Sequence, residues 1–227
     1  MPDQPATAPP HPMLAPQFHS MAQQVAVSEL GMWIFLATEV LFFGALFLAY
    51  TVYRAWYPDA FAAGSREMAT AIGTANTAIL IVSSFTVVLA IRGGRLGRPR
   101  TQGWMLAATI ALGLVFLGLK AWEYTDHIRH HLFPGAGFEW PGEGAVAGQV
   151  QIFFTLYYVM TGLHALHMVI GVSVMAVLFV MARRGRFDAT YHTPLEVSGL
   201  YWHFVDIIWI FLFPLFYLIG LHGTHGS

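Results

Sequence analysis

The sequence contains no cysteine and few charged residues. Without cysteine, the chain cannot supply a disulfide, a thiolate nucleophile, an iron–sulfur ligand or a zinc thiolate. Charged residues make up only 10% of the chain, well below the roughly 25% of soluble domains. The net charge is −1, so there is no basic surplus to bind a nucleic-acid backbone. These absences exclude a nucleic-acid partner and argue against a water-soluble protein.

Apolar residues dominate instead, with 56% of the chain hydrophobic and 15% aromatic. Five segments are long enough to cross a hydrocarbon core of about 30 Å, which takes about 20 helical residues. Their continuous apolar character favours helices, because the strands of a membrane barrel alternate apolar and polar residues. The sequence therefore predicts an all-α integral membrane bundle of five transmembrane helices, with spans at about 30–53, 72–91, 103–119, 150–182 and 197–221.

Two predicted tails flank this transmembrane domain of residues 30–221. Residues 1–29 contain six prolines and no lysine or arginine, which predicts a proline-rich N-terminal tail that is disordered or extended. The tail also lacks the positive region and apolar stretch of a secretory signal. Residues 222–227 are predicted to form a short C-terminal tail.

The arginines predict the orientation of the chain in the membrane. Lysine and arginine in short loops are retained on the cytoplasmic side. The second and fourth predicted loops carry seven arginines: Arg92, Arg95, Arg98, Arg100, Arg183, Arg184 and Arg186. We therefore expect these loops and the N-terminus inside, and the third loop, residues 123–149, and the C-terminus outside.

Glu39 is the only charged residue within the first predicted span. A carboxylate at this depth is costly to bury, and it marks a proton path, an ion site or a paired structural group. Burial disfavours the charged form, so Glu39 is predicted to be a protonated acid. We expect a hydrogen bond to His167, with His164 as the fallback partner, because such a bond satisfies both groups without a net charge. A functional and a purely structural role for Glu39 both stay open.

The histidines and the aspartate of the spans come in two pairs spaced three apart, so that each pair lies on one helix face: His164 with His167, and His203 with Asp206. A transition metal would need further ligands at matching depth, and one haem cannot take both axial ligands from neighbouring positions of one helix. The sequence therefore favours structural or hydrogen-bonding histidines, and it predicts neither a metal site nor a catalytic residue. His203 and Asp206 could equally form a neutral hydrogen-bonded pair or a site. The third loop has three histidines that are predicted to be solvated: His127, His130 and His131.

Lys120 and Glu123 lie three residues apart, where the third predicted span ends. Residues at this spacing are neighbours on a helix surface. Opposite charges there predict an ion pair within the helix, in the interfacial zone of the membrane.

Four stretches of the sequence resemble the signatures of subunit III of haem-copper terminal oxidases, in that family's order. They are Glu39-Val40-Leu41-Phe42-Phe43, Glu123-Tyr124, Thr161-Gly162-Leu163-His164-Ala165-Leu166-His167 and Tyr201-Trp202-His203-Phe204-Val205-Asp206. The resemblance covers residues 30–220. The chain looks like the shorter form of the family, without the first two helices of the seven-span members. In those longer members a lipid-filled cleft lies between the first two helices and the rest.

The resemblance implies an accessory subunit that carries no haem or copper of its own. Such a subunit packs beside subunit I, in a complex that also contains subunit II, reduces dioxygen to water and pumps protons. Its implied work is to bind phospholipid, stabilise subunit I and support proton uptake, and its implied location is the bacterial inner membrane. Cytochrome c is the favoured electron donor, with quinol as the alternative.

Two other functions stay open at the level of sequence. One is an accessory subunit of a nitric oxide reductase, whose helices would look alike. The other is a proton-coupled transporter, which would also place Glu39, His167 and Asp206 in the membrane. A transporter usually shows repeat symmetry, and no internal repeat is evident in this sequence.

Overall fold

Five long helices and one short helix make up the fold. The computed structural model describes residues 13–142, 145–187 and 191–222, and side chains up to residue 220. In chain order the helices are α1 (Met21–Trp56), α2 (Pro58–Arg66), α3 (Thr70–Arg95), α4 (Pro99–Arg129), α5 (Ala147–Arg183) and α6 (Thr193–Phe213). The last helix continues as a π-helical turn, Pro214–Leu218, and a 3₁₀ turn, Ile219–His222. There is no strand in the described residues. The predicted bundle of five apolar, membrane-length helices is confirmed.

The helices are longer than the apolar runs that predict them. Helix α1 begins at Met21, where the Ser20 hydroxyl accepts a hydrogen bond from the Gln23 backbone N–H at 3.2 Å. The predicted N-terminal tail is therefore wrong for residues 21–29, while residues 1–12 lie outside the described chain. Helix α4 continues to Arg129, so the predicted third loop, 123–149, is a connection only from residue 130 to residue 146. Apolar runs mark the part of a helix that crosses lipid, and they give no signal for its polar ends.

Helix α2 is an element that the sequence analysis missed. Its nine residues include a proline in the first turn, a common helix start, but they are too few and too polar to register as a span. The helix packs against α5 so closely that a Cβ added at Gly64 would lie 2.4 Å from the Phe153 ring. The Ser65 hydroxyl accepts a hydrogen bond from the Gly220 backbone N–H at 3.1 Å. Helix α2 thereby joins the last 3₁₀ turn to the bundle.

Helix α6 lies against α1, α3 and α5, and α4 lies between α3 and α5. Large aromatic side chains fill the space where α6 meets its neighbours, among them Trp202 and Trp209, which are fully buried. Glycine on the facing helices makes room for them: a Cβ at Gly113 or Gly171 would lie 3.0 Å from the Trp202 ring. Small residues thus allow close helix approach, as is usual in membrane bundles.

Candidate functional site

The Glu39 carboxyl on α1 and the His167 imidazole on α5 form a hydrogen-bonded pair. His167 Nε2 lies 3.2 Å from Glu39 Oε2, which is the predicted contact. His167 Nδ1 lies 2.8 Å from the backbone carbonyl oxygen of Leu163, which can only accept, so Nδ1 carries a proton and donates it there. The Glu39–His167 bond then holds one proton: either a protonated Glu39 donates to neutral Nε2, or an imidazolium donates to the carboxylate.

This pair lies at the edge of the bundle rather than in its centre. The Glu39 and His167 side chains are 19% and 13% exposed. The Phe43 ring meets the imidazole edge-on, with ring centroids 5.4 Å apart, and the Tyr201 hydroxyl donates to the His167 carbonyl oxygen at 3.0 Å. Aromatic groups from α1 and α6 therefore hold the imidazole in place, while the proton of the pair stays close to the outer surface.

His164 occupies a different environment from His167, although both are on α5. Its side chain is buried between the rings of Phe116 and Trp209, with ring centroids 5.4 and 5.3 Å away. Neither of its ring nitrogens has a hydrogen-bond partner within the described chain. The fallback pairing of His164 with Glu39 does not occur. No group of three or more His, Cys, Asp or Glu side chains in the described ranges could hold a metal ion.

His203 and Asp206 on α6 do not bond to each other. His203 Nδ1 instead lies 2.6 Å from the Ser84 hydroxyl on α3. Neither oxygen of the Asp206 carboxyl has a hydrogen bond of normal geometry among the described residues. The predicted option of a His203–Asp206 pair is therefore wrong, because the Ser84 hydroxyl on the neighbouring helix takes the histidine.

Lys120 and Glu123 form the predicted ion pair, but within the bundle, where both residues are at most 3% exposed. Lys120 Nζ donates to Glu123 Oε2 at 2.7 Å and to the hydroxyls of Tyr157 and Tyr217 at 2.9 and 3.0 Å. The Tyr217 hydroxyl donates in turn to the Glu123 carboxylate, 2.7 Å from Oε1 and 2.8 Å from Oε2. We call these four residues the Lys120 cluster. All three ammonium protons are used, and the carboxylate is bonded at both oxygens.

The two tyrosines of the Lys120 cluster are residues that the sequence analysis missed. Tyr157 comes from α5 and Tyr217 from the π-helical turn, so neither has a spacing relative to Lys120 that the sequence could show. Beside the cluster, the Thr161 hydroxyl donates to the Tyr157 carbonyl oxygen at 2.6 Å, and the Tyr124 hydroxyl then donates to Thr161 Oγ1 at 2.5 Å. Tyr124 and Thr161 belong to two of the four stretches that resemble the family signatures, and they meet in this single network.

The histidines near the end of α4 divide into two kinds. His127 is buried on the helix, with its ring edge-on to those of Phe154 and Tyr157, so its predicted loop position is wrong. The helix runs ten residues beyond the predicted span, which ends at 119, and this extension carries His127 into the bundle. His130 and His131 are exposed.

Comparison with known proteins gives matches over most of the chain. The family model described as cytochrome c oxidase subunit III matches residues 16–221. A protein named cytochrome c oxidase subunit 3 from Thermostichus vulcanus is 36% identical over 198 residues, covering 84% of this chain and 86% of the relative. The protein of the same name from Synechocystis sp. is 34% identical over 197 residues, covering 83% and 74%. The quinol oxidase subunit 3 from Bacillus spizizenii is 30% identical over 200 residues, covering 86% and 88%.

The family match runs from residue 16, before α1, to residue 221, in the last 3₁₀ turn. It therefore contains all five membrane-length helices, the Glu39–His167 pair and the Lys120 cluster. With this coverage, and with relatives above 30% identity along most of both chains, the chain belongs to the cytochrome c oxidase subunit III family.

Proposed function

We propose that this chain is the accessory third subunit of a proton-pumping haem-copper oxidase in aerobic respiration. The match to the subunit III family across residues 16–221 is the observation that carries the proposal. In this function, subunit I binds the haem and copper and reduces dioxygen, and subunit II completes the complex. The present chain stabilises subunit I and supports its proton uptake.

We also propose that the chain has no redox centre or catalytic residue of its own. Its membrane histidines support this, because each has a separate environment: His164 between aromatic rings, His167 bonded to Glu39, and His203 bonded to Ser84. A haem-copper centre needs several imidazoles that converge from different helices.

Glu39 is the residue through which we propose that the subunit influences protons. Its bond to His167 Nε2 holds one proton near the surface of the bundle, in a setting where neither ionised form is well solvated. A lipophilic carbodiimide, which reacts with protonated acids in apolar sites, should modify Glu39 and leave Glu123 unmodified. Glu123 is buried inside the bundle and bonded to Lys120 and Tyr217, so the reagent cannot reach it. Labelling of Glu123 rather than Glu39 would contradict this assignment.

Replacing Glu39 by glutamine tests whether its proton matters. Glu39→Gln keeps a hydrogen-bonding group of the same shape and removes the titratable proton. We expect the assembled complex to show slower proton uptake or faster inactivation during turnover than the wild type. If oxygen consumption, proton pumping and inactivation rate all match those of the wild type, Glu39 is purely structural.

For localisation, we propose the bacterial inner membrane, with the N-terminus inside and the C-terminus outside. Seven of the ten arginines lie in the connections after α3 and α5 or in the helical turns that flank them, and such positive ends are retained in the cytoplasm. The absence of native cysteine allows a direct test. A cysteine replacing Leu96 should be protected from an impermeant thiol reagent in intact cells, and one replacing Phe133 should react. The reverse labelling would invert the topology.

Phospholipid binding is part of the proposal. A cavity of about 140 Å³ between α4 and α5 is lined by Arg100, Arg183 and Trp104. Arginines can pair with lipid phosphates, and tryptophan is enriched at the level of the headgroups. The double variant Arg100→Gln/Arg183→Gln should retain less anionic phospholipid after purification than the wild type. Equal lipid content, measured by mass spectrometry, would contradict this part.

Two electron donors have support from the relatives. Names of both kinds, cytochrome c oxidase and quinol oxidase, occur among them, and the match with the highest identity of those above is a cytochrome c oxidase subunit. We favour cytochrome c. The intact complex should oxidise reduced cytochrome c, and a complex that oxidises only quinol would establish the alternative.

Co-purification is the experiment that tests the central proposal. A tag on this chain in its native host should retain subunits I and II together with haem absorbance, in a detergent that preserves membrane complexes. The chain expressed alone should carry no haem. Stoichiometric haem in the isolated chain, or purification without any oxidase subunit, would overturn the proposal.

A further inference from the structure

The last membrane helix continues as a π turn, Pro214–Leu218, where the sequence carries a proline. Pro214 has no N–H to donate to the preceding helical turn, and its ring clashes with the carbonyl four residues earlier, so the regular α-helical ladder stops here. Hydrogen bonds of a π turn span one residue more than those of an α turn. An α turn in its place would therefore rotate the following side chains by about 100° around the helix axis. The register of this turn decides where Tyr217 lies.

Tyr217 reaches the Lys120 cluster from within this turn. Its hydroxyl donates to Glu123 Oε1 at 2.7 Å and accepts from Lys120 Nζ at 3.0 Å. A rotation of about 100° would carry the hydroxyl several ångströms away, beyond the reach of both bonds. Lys120 would keep its bonds to Glu123 and Tyr157, but the carboxylate would lose a donor. The cluster is therefore complete only in the π register.

Side chains of α1 and α3 hold the turn in this register. The Tyr50 hydroxyl on α1 donates to the Leu215 carbonyl oxygen. The Thr70 hydroxyl on α3 donates to the Tyr217 carbonyl oxygen at 3.4 Å. Tyr50 is fully buried, and its ring meets that of Phe216 edge-on, with ring centroids 5.1 Å apart. Helix α1 therefore contacts the turn directly, through a hydrogen bond and through packing.

Helix α1 itself is held to the bundle at few points. Only three of its 36 residues are buried. Among the described residues it makes two side-chain hydrogen bonds to the rest of the bundle, Glu39 to His167 and Tyr50 to Leu215. Glu39 and Tyr50 are eleven residues apart, about three helical turns, so they lie on the same face of α1. A shift of α1 away from the bundle at Glu39 therefore also loosens the Tyr50 contact.

We propose that the π turn has two registers and couples the Glu39–His167 pair to the Lys120 cluster through α1. While both contacts of α1 are made, the Tyr50 hydroxyl holds the π register and Tyr217 stays in the cluster. When α1 shifts outward, Tyr50 leaves the Leu215 carbonyl, and the turn takes the α register, which removes Tyr217 from the cluster. By linkage, the register affects the Glu39 contact by the same factor as that contact affects the register. This coupling does not depend on the proposed function.

Fluorine NMR tests whether Tyr50 holds the register. A 3-fluorotyrosine incorporated at Tyr217 in the purified chain gives a fluorine resonance that depends on the hydrogen bonds of its hydroxyl. Tyr50→Phe should add a second resonance and speed amide exchange in residues 214–220 about fivefold, the factor expected for one interhelical hydrogen bond. Tyr53→Phe is the matched control on the same helix and should change neither, because Tyr53 packs against Trp56.

A variant on α3 keeps this test decisive. Circular dichroism checks that each variant folds. If Tyr50→Phe does not fold, Thr70→Val removes the other hydroxyl that holds the turn and should produce the same second resonance. A single, unchanged resonance in the folded Tyr50 variant, or in the Thr70 variant that replaces it, would overturn the proposal.

Replacing Glu39 tests the coupling itself. Glu39→Ala releases α1 from α5 and should change the Tyr217 resonance and the amide exchange in the same direction as Tyr50→Phe. His167→Leu breaks the same contact from the other side and should act alike. Thr38→Ala is the matched control, because the Thr38 hydroxyl donates to a carbonyl of its own helix at 2.6 Å. An unchanged Tyr217 resonance in the folded Glu39 and His167 variants would overturn the proposal, as would an equal change in either control.

Discussion

The Lys120 cluster and the Glu39–His167 pair each join a carboxyl group to a basic group, yet they differ in how completely their bonds are made. In the Lys120 cluster both charged groups are at most 3% exposed, and two tyrosine hydroxyls complete their hydrogen bonds. Glu39 has a single bond from α1 to α5, at 3.2 Å, and its side chain is 19% exposed. One site is closed and saturated, and the other is open and holds one shared proton.

This difference is why we propose a structural role for the Lys120 cluster and a proton-linked role for Glu39. A buried ion pair with every bond satisfied resists rearrangement, and removing one partner strands a charge. A partly exposed pair joined by a single hydrogen bond has fewer contacts to lose when it rearranges. Stability measurements on variants of both sites test whether they differ in this way.

The largest effect is expected at Lys120. Lys120→Met leaves the Glu123 carboxylate buried without its cation, which should cost about 3–5 kcal/mol of stability. The double variant Lys120→Met/Glu123→Leu removes both charges and should recover most of that loss. Unfolding of the three proteins in the same detergent measures both values. A stable single variant would show that water or a neighbouring group compensates for the lost ammonium.

Removing one tyrosine hydroxyl of the Lys120 cluster should cost less. Tyr217→Phe takes away a donor to Glu123 and an acceptor for Lys120, so we expect a loss of about 1–3 kcal/mol. Tyr158→Phe is the matched control, because the buried Tyr158 hydroxyl has no hydrogen-bond partner in the described part of the chain. The control should stay within about 0.5 kcal/mol of the wild type. Equal losses of stability in the two variants would show that the Tyr217 hydroxyl contributes no more than the Tyr158 hydroxyl.

The Glu39–His167 pair should contribute about 1 kcal/mol at most. Glu39→Ala leaves His167 Nε2 without a partner and should lower stability by that amount. Glu39→Gln should stay near the wild type, because its amide N–H can donate to Nε2. Thermal unfolding of both variants in detergent tests this order. A loss of stability in Glu39→Ala as large as that in Lys120→Met would show that the two sites contribute equally.

The smallest effect is expected for the exposed ion pair of Arg95 and Glu196. Arg95 lies 2.5 Å from Glu196, but its side chain is 61% exposed. Exposed pairs contribute about 0–1 kcal/mol and are screened by salt. Arg95→Ala should therefore lower stability slightly at low ionic strength and not at all at high salt. A large loss that persists in salt would indicate that this end is covered by protein in solution.

Local properties of the chain account for how far the sequence could predict this molecule. Length and continuous apolar character specify a transmembrane helix, so the five helices and the fold class follow from the sequence. The Lys120–Glu123 contact follows from their spacing on one helix. The sequence does not predict the ends of α1 and α4 or any part of α2, because polar helical residues lack the continuous apolar character that marks a span.

Which polar groups meet across helices was decided by the tertiary structure, apart from the Glu39–His167 bond, which matching depth predicts. His203 and Asp206 are neighbours by sequence, yet Ser84 on another helix takes the histidine. Tyr157 and Tyr217 complete the Lys120 cluster from helices whose rotation and packing no sequence spacing records. Local sequence is enough to specify a membrane helix bundle and the polar residues that it must bury. The packing of its helices decided which of those residues find hydrogen-bond partners within the described chain, because hydrogen bonds depend on distances between helices that are far apart along the chain.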